Sequence, residues 1–347
     1  MISLTIDINN PTVIPVSQYV FSNALDEILL WGLRSDDAYT VRFFWRKRQT
    51  LTEFFAADYI AQLSSVKVHD IDLILQRLCE QNILPLVEVK ITVETADGTE
   101  IYSHIFNTLY SRRILWTGSV DDFCAAHYLT TAKNIFYSSL KYGRTYYADT
   151  DRSWGEDALI TAEFIDNTNA RYVKLVQGNR SVNFFAVGVS QYANFAFLNN
   201  YCVPELLQLP CVIEATPESE YDEAEFKRSR SQYNVAHSKK YHCTTGVLPL
   251  DYLEYLEDFL QSPLIVWNDD PQDIPSAIEA QYESLKSENR RQILITNYKI
   301  TESTEHGRGQ FLEFDFRFAS KSDKISLTQL PQNYVRIHTA HFSRQFC

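Results

Sequence analysis

Several residue spacings in this chain invite a chemical reading. His338 and His341 stand in HxxH spacing, and His237 and His242 lie five apart beside Cys243. A zinc hydrolase of that kind needs HExxH on a helix and a third ligand. Here Thr339 and Ala340 fill the gap and no Glu adjoins either histidine. Cys79, Cys124, Cys202, Cys211, Cys243 and Cys347 form no CxxC pair, so no zinc framework is spelled out. They read as free thiols of a reducing compartment. No metal ligand is assigned.

Carboxylate pairs raise glycoside hydrolysis: Asp121 with Asp122, Glu156 with Asp157, Glu163 with Asp166, and Asp269-Asp270 with Asp273. That reaction needs two carboxyls roughly 5 to 9.5 Å apart across a cleft, which spacing along a strand does not establish. Asp269-Asp270-Pro271-Gln272-Asp273 has no glycine, so it is a turn and not a calcium loop. GxSxG, Walker A and GxGxxG are all missing from the sequence, which removes the usual nucleophile elbow and phosphate cradles. Lys141 to Tyr147 is rich in tyrosine and basic residues. With Trp154, the rings of Tyr142, Tyr146 and Tyr147 offer a platform on which a sugar could stack; a strand edge or a subunit contact is the simpler reading. No catalytic residue and no cofactor is assigned. A carbohydrate-binding adhesin module and a glycosidase acting through Glu163 and Asp166 stand as alternatives.

The elements that would position these groups are mostly strands. Ile2, Leu4 and Ile6 alternate with Ser3, Thr5 and Asp7, and Val87, Val89, Ile91 and Val93 alternate with Glu88, Lys90, Thr92 and Glu94. Such period-2 patterns predict half-buried strands. Ala96-Asp97-Gly98-Thr99 supplies a turn before Ile101 to Phe106, hence a hairpin. Leu312, Phe314, Phe316 and Phe318 repeat the pattern, and further strands are expected at 39–45, 161–164, 172–175, 183–189, 191–198, 262–267 and 292–300.

Helical spacing appears at Ile71, Ile74, Leu75 and Leu78, with Asp70 as N-cap and Pro85 beyond, and again at Tyr252, Leu253, Leu256, Phe259 and Leu260. Leu51 to Leu63 is a third helical candidate. Without βαβ alternation the expectation is a mainly β chain: antiparallel sandwich-like or barrel-like domains with two or three short helices.

At 347 residues, two or three domains are expected. The composition breaks between Ser111 and Asp121, which suggests a β-domain over 1–118 and a β-rich one over 119–347. Within the latter, residues 214–242 carry a run of acids followed by Lys227, Arg228, Arg230, Lys239 and Lys240 with little apolar content. That stretch reads as a protruding loop or arm, and a solvated surface hairpin is the simpler reading beside a dedicated docking arm. Net charge is −12, which disfavours a nucleic-acid partner. No apolar run is long enough to span a bilayer, and the start lacks a basic and apolar leader, so neither membrane nor export is expected. Only 10 residues are glycine while aromatics make up 14%, a balance suited to sheet surfaces and protein contacts.

Three segments together resemble one family, the tail-associated structural proteins of tailed phages and prophages that infect anaerobic gut bacteria. The first is Phe195 to Leu207, an aromatic strand leading into Asn199-Asn200-Tyr201-Cys202-Val203-Pro204-Glu205, with Cys202 where the family's pattern prefers glycine. The second is Lys227 to Val235, a basic strand containing Tyr233. The third runs from Thr245-Gly246-Val247-Leu248 through the helix at 252–260 to Ser262-Pro263, with a closing strand at Phe311 to Phe318. The resemblance spans about the last 150 residues. It implies a non-enzymatic, multi-copy part of a tail, baseplate or neck, assembled in the host cytoplasm into the virion, with a homo-oligomeric ring and other tail or neck proteins as partners. Candidate assembly contacts are Arg228, Arg230 and Tyr233 on the arm and Tyr146 and Tyr147 in the tyrosine-rich patch.

Overall fold

The computed structural model describes residues 2–9, 19–47, 50–113, 115–149, 158–165, 170–188, 192–226, 229–267, 291–303 and 309–319. It is mainly β, as the alternation predicts. The first part contains β1 (Ile2–Asp7), β2 (Tyr19–Phe21), β3 (Leu25–Trp31), β4 (Ala38–Lys47), β5 (Thr50–Ile60), β6 (Ser65–Val68), α1 (Ile71–Asn82), β7 (Leu86–Thr95) and β8 (Glu100–Leu109). They build a five-stranded sheet ordered β2-β8-β7-β4-β5 and a three-stranded sheet ordered β1-β3-β6. Their facing side chains make one core, including Val41, Phe43, Val89, Ile91 and Val93 from the larger sheet and Ile71, Leu75 and Leu78 from α1.

The β7–β8 hairpin turns where the sequence places it. Gly98 takes φ +83, its N–H donates to the Thr95 carbonyl, and Asp97 accepts from Thr99. Helix α1 also lies where expected, but Asp70 does not cap it through its side chain. Asp70 is left-handed (φ 59), and the helix closes at Ile83, also left-handed, with Leu84 N–H returning to the Cys79 carbonyl.

The third helical candidate, 51–63, is instead the edge strand β5, paired antiparallel with β4. The register shifts so that Phe43 faces Phe55 and Phe44 faces Glu53. Phe54 is the extra residue of a bulge. Both Phe54 and Phe55 then pack on Phe43, with ring centroids 6.1 and 5.6 Å away. Two adjacent inward aromatics break the period-2 pattern and imitate helical spacing.

The remainder contains α2 (Val120–Ala126), β9 (Asn134–Tyr137), β10 (Tyr142–Ala148), β11 (Leu159–Ile165), β12 (Tyr172–Gln177), β13 (Arg180–Ala186), β14 (Ala193–Leu198), β15 (Pro204–Leu209), β16 (Cys211–Phe226), β17 (Ser229–Thr245), β18 (Leu248–Pro249), α3 (Leu253–Leu260) led by a 3-10 turn at Leu250–Tyr252, β19 (Ile265–Trp267), β20 (Arg291–Ser303) and β21 (Gly309–Phe318). The main sheet has eight strands, seven in the order β15-β14-β19-β20-β21-β17-β16, with β18 joining β21. Its two end strands, β15 and β16, are joined by the single residue Pro210. The sheet therefore curls until its ends meet at that residue, without a ladder between them. The smaller sheets β10-β11 and β12-β13-β9 complete this part.

Helix α3 lies over the curled sheet. Phe259 sits 5.4 Å from Phe195, 5.5 Å from Phe197 and 5.8 Å from Phe314, measured between ring centroids. The β21 alternation is realised, with Leu312, Phe314 and Phe316 buried and Glu313 and Arg317 exposed. The expected division at 118 falls near the change from the first core to the second, yet a third cluster straddles it. That cluster joins Phe21, Leu86 and Leu109 to Val120 and Phe123 of α2 and to Tyr201 and Val203. Phe259→Ala is expected to cost about 3–5 kcal/mol through the cavity it opens, read as a lower urea midpoint; an unchanged midpoint would refute this packing.

Candidate functional site

Three features stand out once the fold is assembled: a buried polar junction, an apolar groove and a projecting β-ribbon. The junction grows from the turn between β14 and β15. Cys202 adopts φ +59, the left-handed geometry that glycine enters at least cost. Asn199 builds the turn from inside. Its Oδ1 accepts from the N–H groups of Tyr201 (2.9 Å) and Val203 (3.1 Å), and its Nδ2 donates to the Leu129 carbonyl.

The segment after β8 is stitched to this turn. Arg112 Nη2 donates to the carbonyls of Leu198 (2.9 Å) and Asn199 (3.1 Å), and its Nη1 approaches Asp258 Oδ1 of α3 at 3.4 Å. Asp258 is fully buried. It also accepts from the Asn200 N–H at 2.9 Å and from the Thr131 hydroxyl at 3.0 Å. Arg113 reaches Glu257 at 3.1 Å. Burial raises the Asp258 carboxyl above its ordinary range, and Arg112 works against that rise. Neighbouring Glu205 on β15 is also buried; desolvation, aided by the Asp258 charge, pushes it up to about 8. These carboxyls converge on protein groups inside the fold, and their arrangement is that of a lock between chain segments.

The groove, about 210 Å³ in volume, opens between β9, β15 and β18. Phe136, Tyr192, Pro210, Val247 and Leu248 contribute its apolar wall. Among its polar members, Gln208 Oε1 accepts from the Ser138 N–H at 2.7 Å, and burial pushes the hydroxyls of Tyr137 and Tyr252 above their usual range. Among the described residues no acid or imidazole lines it.

The 214–242 stretch, expected as a protruding loop or arm with a surface hairpin as the simpler reading, is a strand pair. β16 and β17 run antiparallel from Cys211↔Thr245 to Phe226↔Ser229, with a register shift between Glu220 and Asp222. Only Tyr241 to Thr244 of β17 also pair with β21. From Thr216 and Lys240 outward, at ~3.3 Å per residue, a two-stranded ribbon of about 35 Å extends past the sheet. Its root is clamped by Asp315, which accepts from Lys240 at 2.9 Å and from His242 at 2.8 Å. His242 first, then Lys240, holds the Asp315 carboxyl below its usual range.

The sequence candidates distribute as follows. Arg230 and Tyr233 are on the ribbon, and Arg228 lies outside the described residues. Tyr146 and Tyr147 are corrected: at 2% and 6% exposure they are core residues, packed in the third and second clusters, and present no surface for assembly or for a sugar. Trp154 lies outside the described residues. Gly143 opposes Phe164, whose ring takes the space a Cβ would need. Glu163 accepts from Arg144 at 3.0 Å on the β10–β11 hairpin, while Asp166, Asp269, Asp270 and Asp273 lie outside the described residues, as do His338, His341 and Cys347. His242 is committed to Asp315 and Thr244. Cys79, Cys124, Cys202, Cys211 and Cys243 are buried thiols. Among the described residues no group of three or more His, Cys, Asp or Glu is placed to hold a metal ion, and no helix is long and apolar enough to cross a membrane. The junction residues Arg112, Asn199, Asn200 and Asp258 were missed by sequence reasoning; the Asn199-Asn200 pair before a Pro-Glu was the one local signal. No protein-family model matches the chain, and no curated protein matches it.

Arg112→Ala is expected to cost about 3–5 kcal/mol, because it leaves a buried charge uncompensated. Adding Asp258→Asn is expected to recover part of that loss in urea unfolding; strict additivity would argue against the pair. Glu205 supplies a pH test. Its folded value is raised, so its contribution is fully present below about 4.5 and is lost as pH rises towards about 8. Glu205→Gln should gain stability relative to the native chain across that window. Taking the difference cancels the opposite trend of His104 and His127, whose values partial desolvation lowers. A difference that stays flat between those pH values would contradict the assignment.

Proposed function

We propose that this chain is a non-enzymatic structural subunit that works by assembling with further copies and with neighbouring proteins, of the kind found in the tail, baseplate or neck of a tailed phage. One observation carries the reading: a charged two-stranded ribbon of about 35 Å leaves the sheet and rests on no other described strand of its own chain. An isolated two-stranded ribbon is marginal in water, and a fold that retains one gains from a surface outside itself. The exposed apolar side chains support the same reading. Val187, Tyr192 and Val247 ring the groove at 37%, 40% and 44% exposure, and Ile60 and Leu63 stand at 67% and 88% near the end of edge strand β5. Exposed apolar side chains grouped around a groove mark contact sites in many proteins.

The described ionisable groups are compatible with this role. Arg144 with Glu163, Arg42 with Glu53 and Glu94, and Asp315 with its two partners are structural pairs on or between strands. Sedimentation velocity over a dilution series of the full chain is expected to show species heavier than the 40.2 kDa protomer. A monomer at the highest soluble concentration would sink the proposal. In tailed particles purified from cells that express the chain, imaging should find repeated copies about the tail axis, and a chain absent from the particles would remove the virion part of the reading.

A further inference from the structure

The two strands of the ribbon differ in charge, and that asymmetry specifies how copies would meet. β16 contains Glu214, Glu218, Glu220, Asp222, Glu223 and Glu225 and no Lys or Arg; β17 contains Arg230, Lys239 and Lys240 and no Asp or Glu. Among the described residues, β16 pairs with β17 alone, and β17 pairs with β16 alone from Ser229 to Lys240. Among the described residues, each ribbon thus carries two backbone rows with no strand partner, one on an acidic strand and one on a basic strand. Pro217, lacking an N–H, leaves at most one gap in the acidic row.

We propose that the outer edge of β16 in one copy pairs with the outer edge of β17 in the next copy, so that ribbons add strand to strand between protomers. This rests on the assembly reading above and names the surface that performs it. The occupant is a second copy because the ribbon itself supplies what its edge lacks. An unpaired row of N–H and C=O groups is a template for another strand. Opposite charges on facing strands favour the contact, and like charges oppose it. Pairing β16 with β16 would set carboxylate against carboxylate, whereas β16 against β17 alternates sign from strand to strand across the whole added sheet. Such a contact is heterologous. Each protomer has one acidic and one basic edge, so the contact repeats until it closes a ring or continues as a filament. Lys240 is already held by Asp315 at the root; the basic character of the distal strand therefore comes from Arg230 and Lys239.

The test uses charge reversal in the full chain. One variant carries Glu218→Lys, Glu220→Lys and Glu225→Lys, and the other carries Arg230→Glu and Lys239→Glu. Each alone should weaken self-association by roughly tenfold or more in sedimentation velocity, since like charges then face across the joint. The native association should also weaken as salt rises. Mixed together, the two variants should associate again, because the basic strand of the first now meets the acidic strand of the second. The native β signature in far-ultraviolet circular dichroism checks that each variant folds, and recovery on mixing excludes a mere folding defect. A native chain that assembles while both variants assemble equally well overturns this inference and leaves the assembly reading standing. Folded variants that fail to recover on mixing overturn it as well. A native chain that stays monomeric overturns both.

Discussion

The contact between the Arg112 guanidinium and the buried Asp258 carboxylate holds the rest of the molecule in place. Arg112 follows the last strand of the first sheet, and Asp258 lies on the helix that covers the second. A charge with no exposure needs a partner and hydrogen bonds on its remaining lone pairs. Asp258 obtains both, from Arg112, the Asn200 N–H and the Thr131 hydroxyl. Satisfying one carboxylate thereby fixes four chain segments relative to one another. The turn at 199–202 can then hold a left-handed cysteine, because the Asn199 side chain and the Arg112 guanidinium occupy the groups that the turn turns inward.

The curled sheet solves a different problem. Its end strands meet at Pro210, so the apolar face is enclosed by α3 and by the sheet's own curvature, and rings of Phe195, Phe197, Phe259 and Phe314 fill the space. Enclosure leaves no room for the second half of the β16–β17 hairpin, which continues outward. A core ends where the apolar alternation ends: Cys211, Tyr241 and Cys243 are buried, whereas Glu214 to Pro217 are exposed. The Asp315 clamp stands at this transition and ties the hairpin to β21 just before it leaves the body.

This division of labour agrees with an assembly role. Charges inside the protein secure the junction, and charges at the root secure the ribbon. An apolar groove without an acid or imidazole and a ribbon with one acidic and one basic strand are features of recognition between surfaces.

Alternation alone determined the β class, the β7–β8 hairpin, the β21 strand and the two amphipathic helices at 71–82 and 253–260, because each is a local pattern in which one face must leave water. Position-specific details required the tertiary structure. The bulge at Phe54 placed two neighbouring aromatics on one side and disguised a strand as a helix. The 214–242 stretch was legible from its charge as a protruding arm or solvated hairpin, but the length and register of its ladder were not, because backbone pairing without apolar alternation leaves no trace in composition. Tyr146 and Tyr147 were legible as aromatic but not as buried, since that depends on α2 and on strands far along the chain. The Arg112–Asp258 junction joins residues separated by 146 positions; no local spacing encodes it, and only the packing that removes water from both groups makes their attraction strong enough to matter.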